Sequence, residues 1–344
     1  MKYLILFAFI VLSLFSLHGC KKDEVSKIAP TNLTVTADIS TDGSGNVSFT
    51  AHADDAVSYD YDFGTGEYQT VVSGIASYRY TQVGTITYPV TVTAKSSFDL
   101  TIKKTIQVTV TVIAAVPTLY WSDEFNVDGA PDPTKWGYDL GGGGWGNSEL
   151  EYYTSRSENA VVSQGVLKIK AIKESYEGSQ YTSARLLSKG KFSFKYGKVE
   201  FRAKLPAGVG TWPALWMLGS DISTTGWPGC GEIDIMEHRG SDLNRIFGTL
   251  HYPGRSGGNA DGNTKVITNA TTEFHVYSVD WTASYIKISV DDQIIHTVVN
   301  TNSIPFNHDF FLIMNVAMGG TFAGSVDPSF TNATMEVDYV RIYK

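Results

Sequence analysis

Seven consecutive residues, Gly231-Glu232-Ile233-Asp234-Ile235-Met236-Glu237, hold three carboxylates interleaved with apolar side chains. Apolar and β-branched residues at that density predict a strand. Side chains on a regular strand alternate between its two faces. Glu232 and Asp234 then share one face, and Glu237 falls on the other, among the isoleucines. A lone Glu buried there would be costly. One extra residue inserted as a β-bulge near Ile235–Met236 returns Glu237 to the face of the other two acids, a re-aiming that bulges perform next to active sites. Three acids on one face, two of them Glu, suit general acid/base and nucleophilic work on a glycosidic bond.

A run of acids is ordinarily a solvated face, and the flanks shift that balance here. Upstream lie Trp212-Pro213-Ala214-Leu215-Trp216 and Trp227-Pro228-Gly229-Cys230, so three of the seven tryptophans fall close before the acids. Sugars stack apolar ring faces on aromatic side chains while polar groups read their hydroxyls. Trp212 and Trp216 are therefore candidate sugar platforms. Gly141 to Gly144, with Trp145 beside them, lack the strand–helix context of a phosphate loop and fit a cleft loop better.

On these residues the sequence resembles glycoside hydrolase family 16, the laminarinase-like (endo-β-1,3-glucanase) branch. Glu232-Ile233-Asp234-Ile235-Met236-Glu237 matches the longer, bulged form of that family's acid motif. The likeness extends over most of residues 118–344, through Asn147-Ser148-Glu149-Leu150-Glu151, the Trp212–Trp216 segment and the closing Val337-Asp338-Tyr339-Val340-Arg341. The resemblance implies a retaining mechanism with Glu232 as nucleophile, Glu237 as acid/base and Asp234 as an assisting carboxylate bonded to Glu232. It implies sugar contacts from Asn147, Glu149 and Arg185, and a cleft position for His251. It also implies a structural calcium held by Glu124, the carbonyl of Gly165 and Asp338, oxygen ligands that suit the ion, but no cofactor for catalysis. Asn315, a polar residue in an apolar run, reads equally well as a hydrogen-bonded structural residue. Rival substrates are mixed-linkage β-glucan and marine galactan, and a non-catalytic glycan-binding surface lipoprotein is the rival from another class. The spaced acid pair argues against the last.

The elements around this site are expected to be strands throughout. Alternation runs through Val166 to Ala171, Lys198 to Leu205, Tyr285 to Asp291 and Met335 to Tyr343. In the second of these, Val199, Phe201, Ala203 and Leu205 line one face and charges the other. No convincing helix interrupts the pattern, which predicts a two-sheet β-jelly roll over 118–344. Residues 28–115 predict a second all-β module. About seven short strands in some ~90 residues suit an immunoglobulin-like sandwich. Tyr59-Asp60-Tyr61-Asp62-Phe63-Gly64 resembles the polycystic-kidney-disease (PKD) repeat, with Tyr61 where that repeat carries Trp. The module is expected to be a spacer, with glycan binding as the minority role.

The chain has 344 residues, 33 of them Gly and 19 Tyr, and a formal charge of −8. That charge argues against nucleic acid as a partner and suits a neutral polysaccharide such as β-1,3-glucan. Residues 1–20 read as a signal peptide: a positive Met1-Lys2, an apolar run too short to span a membrane, then Leu17-His18-Gly19-Cys20. This end resembles a bacterial lipobox with Cys20 as the lipidated residue, although His18 is unusual there. A monomeric outer-membrane lipoprotein is expected, facing either the surface or the periplasm, with a secreted form as the alternative. With Cys20 lipidated, Cys230 has no disulfide partner and serves as small buried filler. The histidines show no metal-ligand spacing.

Overall fold

A computed structural model describes residues 26–114 and 116–344. The signal segment 1–20, including Cys20, lies outside the described residues. The chain divides into two units between Val116 and Pro117.

In the first unit, a three-stranded antiparallel sheet (Thr31–Ile39, Asn46–Asp54, Ile75–Arg79) and a four-stranded one (Tyr68–Val71, Ser58–Asp62, Gly84–Lys95, Thr101–Val112) share one core. Strict alternation builds it. Along Asn46–Asp54, every second residue is buried, so Val47, Phe49, Ala51 and Ala53 meet Tyr61, Val90 and Val92. The buried tyrosines keep their hydroxyls satisfied, as burial demands. Tyr61 donates to the Gly74 carbonyl at 2.7 Å, and Tyr80 donates to that of Phe63 at 3.0 Å.

The second unit pairs a ten-stranded sheet with a seven-stranded one. Across the seven-stranded sheet the order is Asp261–Val266, Arg245–His251, Glu232–His238, Thr211–Gly219, Phe310–Met318, Arg185–Leu187, Gly137–Asp139. The expected face of Lys198 to Leu205 holds, with Val199, Phe201, Ala203 and Leu205 all buried between the sheets. The described helices of this unit are short: Ile222–Thr225, Gly320–Ala323 and one 3-10 turn.

The interior strand Phe310–Met318 is buried at every position, and period-two geometry divides it. Phe310, Leu312, Met314, Val316 and Met318 enter the inter-sheet core. Phe311 and Ile313 join a smaller cluster on the other face, with Leu187, Leu218, Cys230 and Trp216. Asn315 belongs to that second face. Leu215 and Met217 of the neighbouring strand likewise point to the core, so Trp212, Ala214 and Trp216 share the face of Asn315. Cys230 is a buried free thiol, and burial pushes its pKa up to about 11, which makes it packing material rather than a nucleophile.

Candidate active site

The strand Glu232–His238 carries a one-residue bulge. Against Thr211–Gly219, Met236 pairs Leu215 and Asp234 pairs Trp216, so Ile235 is passed over. Against Arg245–His251, Asp234 pairs Thr249 and Glu237 pairs Phe247, so Gly248 faces two residues. Ile233, Ile235 and Met236 all enter the inter-sheet core. Two successive residues thus point inward, and Glu237 emerges on the face of Glu232 and Asp234. Gly248 helps, because a Cβ there would lie 2.8 Å from Ile288 Cγ2. A side chain opposite the bulge would compete for the same core space.

Each acid has its own partners. Trp227 donates its indole N–H to Glu232 Oε2 at 3.1 Å. Trp212 donates to Glu237 Oε1 at 3.0 Å, and the Thr249 hydroxyl approaches Oε2 at 3.4 Å. His251, directly opposite Glu232 in register, sets Nε2 at 3.2 Å from Asp234 Oδ2 and 3.7 Å from Glu232 Oε1. Asp234 Oδ2 is buried with no aligned donor, and the ring of His251 sits against both carboxylates. The expected hydrogen bond between Asp234 and Glu232 needs a proton on one of the two.

Glu232, Asp234 and His251 offer atoms within 4.8 Å of one another, a spacing a metal ion could bridge. The backbone of Gly257 weighs against that use, because its N–H donates to His251 Nδ1 at 3.1 Å. In the neutral ring the proton then belongs on Nε2, the atom facing the carboxylates, which leaves no lone pair there for a metal.

Burial governs the acidity of all three groups. Glu232 is pushed up to about 8, chiefly by burial and then by the charge of Asp234, while His251 and Arg185 pull it down. Asp234 is pushed up to about 8 by burial. Glu237 reaches about 8 through burial and Asp234, against the hydrogen bond from Trp212, the His251 ring and Thr249. Three crowded carboxyls therefore share protons near neutrality rather than all ionising.

A second group of side chains lies along the same face. The register aligns Asp139, Arg185, Asn315, Ala214 and Glu237 in one row across five strands. Arg185 pairs with Asp139 at 3.1 Å, its guanidinium lying 5.0 Å from the Trp145 ring centre and 4.8 Å from that of Trp216. Trp216 donates to Asn315 Oδ1 at 2.8 Å, and Asn315 Nδ2 donates to the Tyr153 hydroxyl at 3.0 Å. Tyr153 donates to Glu149 Oε2 at 3.0 Å, and Asn147 Nδ2 to Glu149 Oε1 at 3.0 Å. Asn147, Glu149, Arg185 and Trp216 thus form one connected cluster, and Arg185 is close enough to act on the acidity of Glu232.

Two tryptophans take roles that the sequence did not assign. Trp212 is anchored: its N–H holds Glu237, and its ring packs on Phe322 at 4.9 Å. Trp227, noted in the sequence but given no role, caps Glu232 and stands 49% exposed. Its place five residues before Glu232 was the available signal. Thr249 and Tyr153 carried none, since their roles depend on contacts across strands.

The calcium residues meet only in part. Register brings the backbones of Glu124, Gly165 and Asp338 to one junction, where Leu119–Asp123 ends and Val166–Tyr176 begins along Asn332–Tyr343. The side chains are engaged elsewhere. Glu124 accepts two hydrogen bonds from Arg341, at 3.0 and 2.8 Å, and Asp338 accepts one from Arg202 at 2.6 Å. Arg341 holds Glu124 below the usual carboxylate range.

Residues 147–341 match the model of the glycosyl hydrolases family 16. A β-glucanase of Rhodothermus marinus is 49% identical over 244 residues, covering 66% of this chain and 85% of that protein. Glucan endo-1,3-β-glucosidase A1 of Niallia circulans is 40% identical over 262 residues, covering 66% of this chain and 38% of that protein. Among solved structures, the laminarinase from Rhodothermus marinus superposes with a TM-score of 0.64 at 48% identity, over 67% of this chain and 99% of that one. The matched stretch contains the bulged acid strand and both strands that pair with it, and this chain belongs to glycosyl hydrolases family 16.

Proposed function

We propose that this chain hydrolyses β-1,3-glucan of laminarin type, cutting within the polymer and retaining the anomeric configuration. The observation that carries the proposal is the bulge, which sets Glu237 on the face of Glu232 and Asp234 with an indole N–H on each glutamate. Relatives acting on β-glucans supply the substrate class.

In the first step, Glu232 attacks the anomeric carbon as an anion: burial raises it as it raises Glu237, and the Arg185 guanidinium, which acts on Glu232, favours its charged form. Trp227 occupies its Oε2, which leaves Oε1 to form the bond. Glu237, kept protonated by burial, gives its proton to the leaving glycosidic oxygen. Its Oε1 accepts from Trp212 at 3.0 Å, whereas Oε2 has only the Thr249 hydroxyl at 3.4 Å, which can turn to accept, so the proton sits on Oε2. The products are a glycosyl ester on Glu232 and a free sugar hydroxyl. Esterification removes one negative charge beside Glu237 and so makes its carboxylate easier to keep. In the second step that carboxylate takes a proton from water, whose oxygen attacks the anomeric carbon and frees Glu232. Asp234 and His251 hold the nucleophile's surroundings. Carboxylates and water suffice for this chemistry, so it needs no cofactor.

The test is to incubate the full chain with laminarin, lichenan, agarose and carrageenan, to size the products and to follow the first anomer released by NMR. Short β-1,3-oligosaccharides, β-anomer first, are expected. Galactan products, or an α-anomer first, would overturn the substrate or the stereochemistry.

The proposal extends to the rest of the chain. The strand order of the first unit and its resemblance to the PKD repeat support an immunoglobulin-like spacer. The Leu17-His18-Gly19-Cys20 sequence supports lipid attachment at Cys20 and an outer-membrane location; loss of labelled fatty acid in Cys20→Ser checks it. A structural calcium at Glu124, Gly165 and Asp338 is supported by register and by an all-oxygen donor set, and requires displacing Arg341. A higher melting temperature with calcium than with chelator checks that. A monomer in solution is expected by light scattering.

A further inference from the structure

Glu151 is an acid that the two-step hydrolysis does not use. It is 1% exposed, on the strand Glu151–Tyr153. One oxygen, Oε2, accepts the backbone N–H of Met318 at 2.6 Å. The other, Oε1, is buried with no donor facing it. Burial and the charge of Glu149 both push its pKa well above the usual carboxyl range. An ionised Glu151 would be a buried charge beside a second carboxylate, with one oxygen unsatisfied, and each of those is costly. A proton on Oε1 removes the charge and supplies a donor for Glu149.

We propose that Glu151 is a neutral carboxylic acid at working pH and donates its proton to Glu149 as a positioning residue for the sugar-binding cluster. Glu149 then becomes the sink of a directional chain. Trp216 donates to Asn315, Asn315 to Tyr153 and Tyr153 to Glu149, while Asn147 and Glu151 donate to the same carboxylate. Every donor and acceptor along this chain has one sense. With Glu151 ionised, Glu149 would lose a donor and gain a repelling neighbour, and the hold on Asn147 and Trp216 would loosen. The effect falls chiefly on sugar binding, because Glu232 and Glu237 stand on another strand with their own indole partners, and only Arg185, seated over Trp216, carries a smaller effect to Glu232.

This inference rests on the proposed use of the face as a β-glucan site, and the test separates the two. Glu151→Gln replaces the donor O–H by an amide N–H and keeps an oxygen for Met318. Glu151→Ala removes both. With laminarin, Glu151→Gln is expected to keep KM and kcat within about twofold of the wild type. Glu151→Ala is expected to raise KM about tenfold with kcat within about threefold. An infrared difference spectrum, wild type minus Glu151→Gln at pH 7, should show the carbonyl band of one protonated carboxylic acid, and this readout stands even where Glu151→Ala fails to fold. Equal damage in the two variants, a loss confined to kcat, or no such band would overturn the inference. A wild-type chain inert on laminarin would overturn the substrate proposal instead and leave the infrared result to stand on its own.

Discussion

In the first unit, Gly84–Lys95 and Thr101–Val112 pair residue for residue over twelve positions without a slip. Their outward threonines face each other as hydroxyl pairs, Thr85 with Thr111, Thr87 with Thr109 and Thr91 with Thr105, at 2.8 to 2.9 Å. Their inward Val90, Val92, Val108 and Val110 are fully buried. The strand Glu232–His238 in the second unit has comparable apolar content and slips against both neighbours. In the regular ribbon, polar and apolar residues each find their natural side, and nothing is left poised to react. In the bulged strand, the slip gathers three acids in one largely buried place, and burial raises all three pKa values to about 8. Regular pairing lowers the free energy of the fold; the irregular strand concentrates charge that the fold alone would disperse.

That contrast breaks most sharply at the acids. Glu232→Gln and Glu237→Gln should each lower kcat by at least about a thousandfold, measured on laminarin, with circular dichroism unchanged. Retention of most turnover in either variant would remove the bulge from the mechanism. A smaller effect, about tenfold on kcat/KM, is expected from Trp212→Phe. It removes the N–H that stabilises the Glu237 anion, so the pKa of Glu237 should rise and the alkaline limb of the pH–rate profile, expected near pH 8 in the wild type, should move upward. A limb that moves down or stays put would refute that role for the indole.

Stability should run opposite to activity. A carboxyl group whose pKa rises on folding binds more protons folded than unfolded. Its contribution is therefore complete below the ordinary carboxyl range and is lost as pH climbs toward about 8. Glutamine does not titrate, so both Gln variants should gain on the wild type in melting temperature between pH 5 and 8, by on the order of a few degrees. A gap that closes with rising pH would contradict the burial of these acids. The smallest effect belongs to the regular ribbon: Thr87→Val should change stability by no more than about 0.5 kcal/mol and leave kcat/KM unaltered. A drop in hydrolysis there would tie the first unit to the chemistry.

The parts of this fold that were legible in the sequence are those set by short-range rules. Alternation gave the buried face of Val199, Phe201 and Ala203. The misplaced third acid required a bulge at Ile235–Met236, because the alternative was a charge in the core. Contacts set by chain-distant partners were not legible. Asn315 read as a hydrogen-bonded polar residue, but its partners could not be named, since Tyr153 and Trp216 come from other strands. Trp212 read as a stacking surface because nothing in its neighbourhood of sequence says where its N–H points. Glu124 and Asp338 read as ligands, and the guanidinium groups that engage them cannot be found from spacing alone.

The slip beside Asp234 is shared by two ladders at once, because the strand is flanked on both sides. A slip on a sheet edge could wander along one partner; this one is clamped and cannot migrate. The span from Glu232 to Glu237 therefore behaves as a fixed gauge, tolerant of which apolar residues fill it and intolerant of their number. Gaining or losing one codon there would swap the inner and outer sides of everything downstream in the strand, a far deeper injury than any exchange of one oily side chain for another.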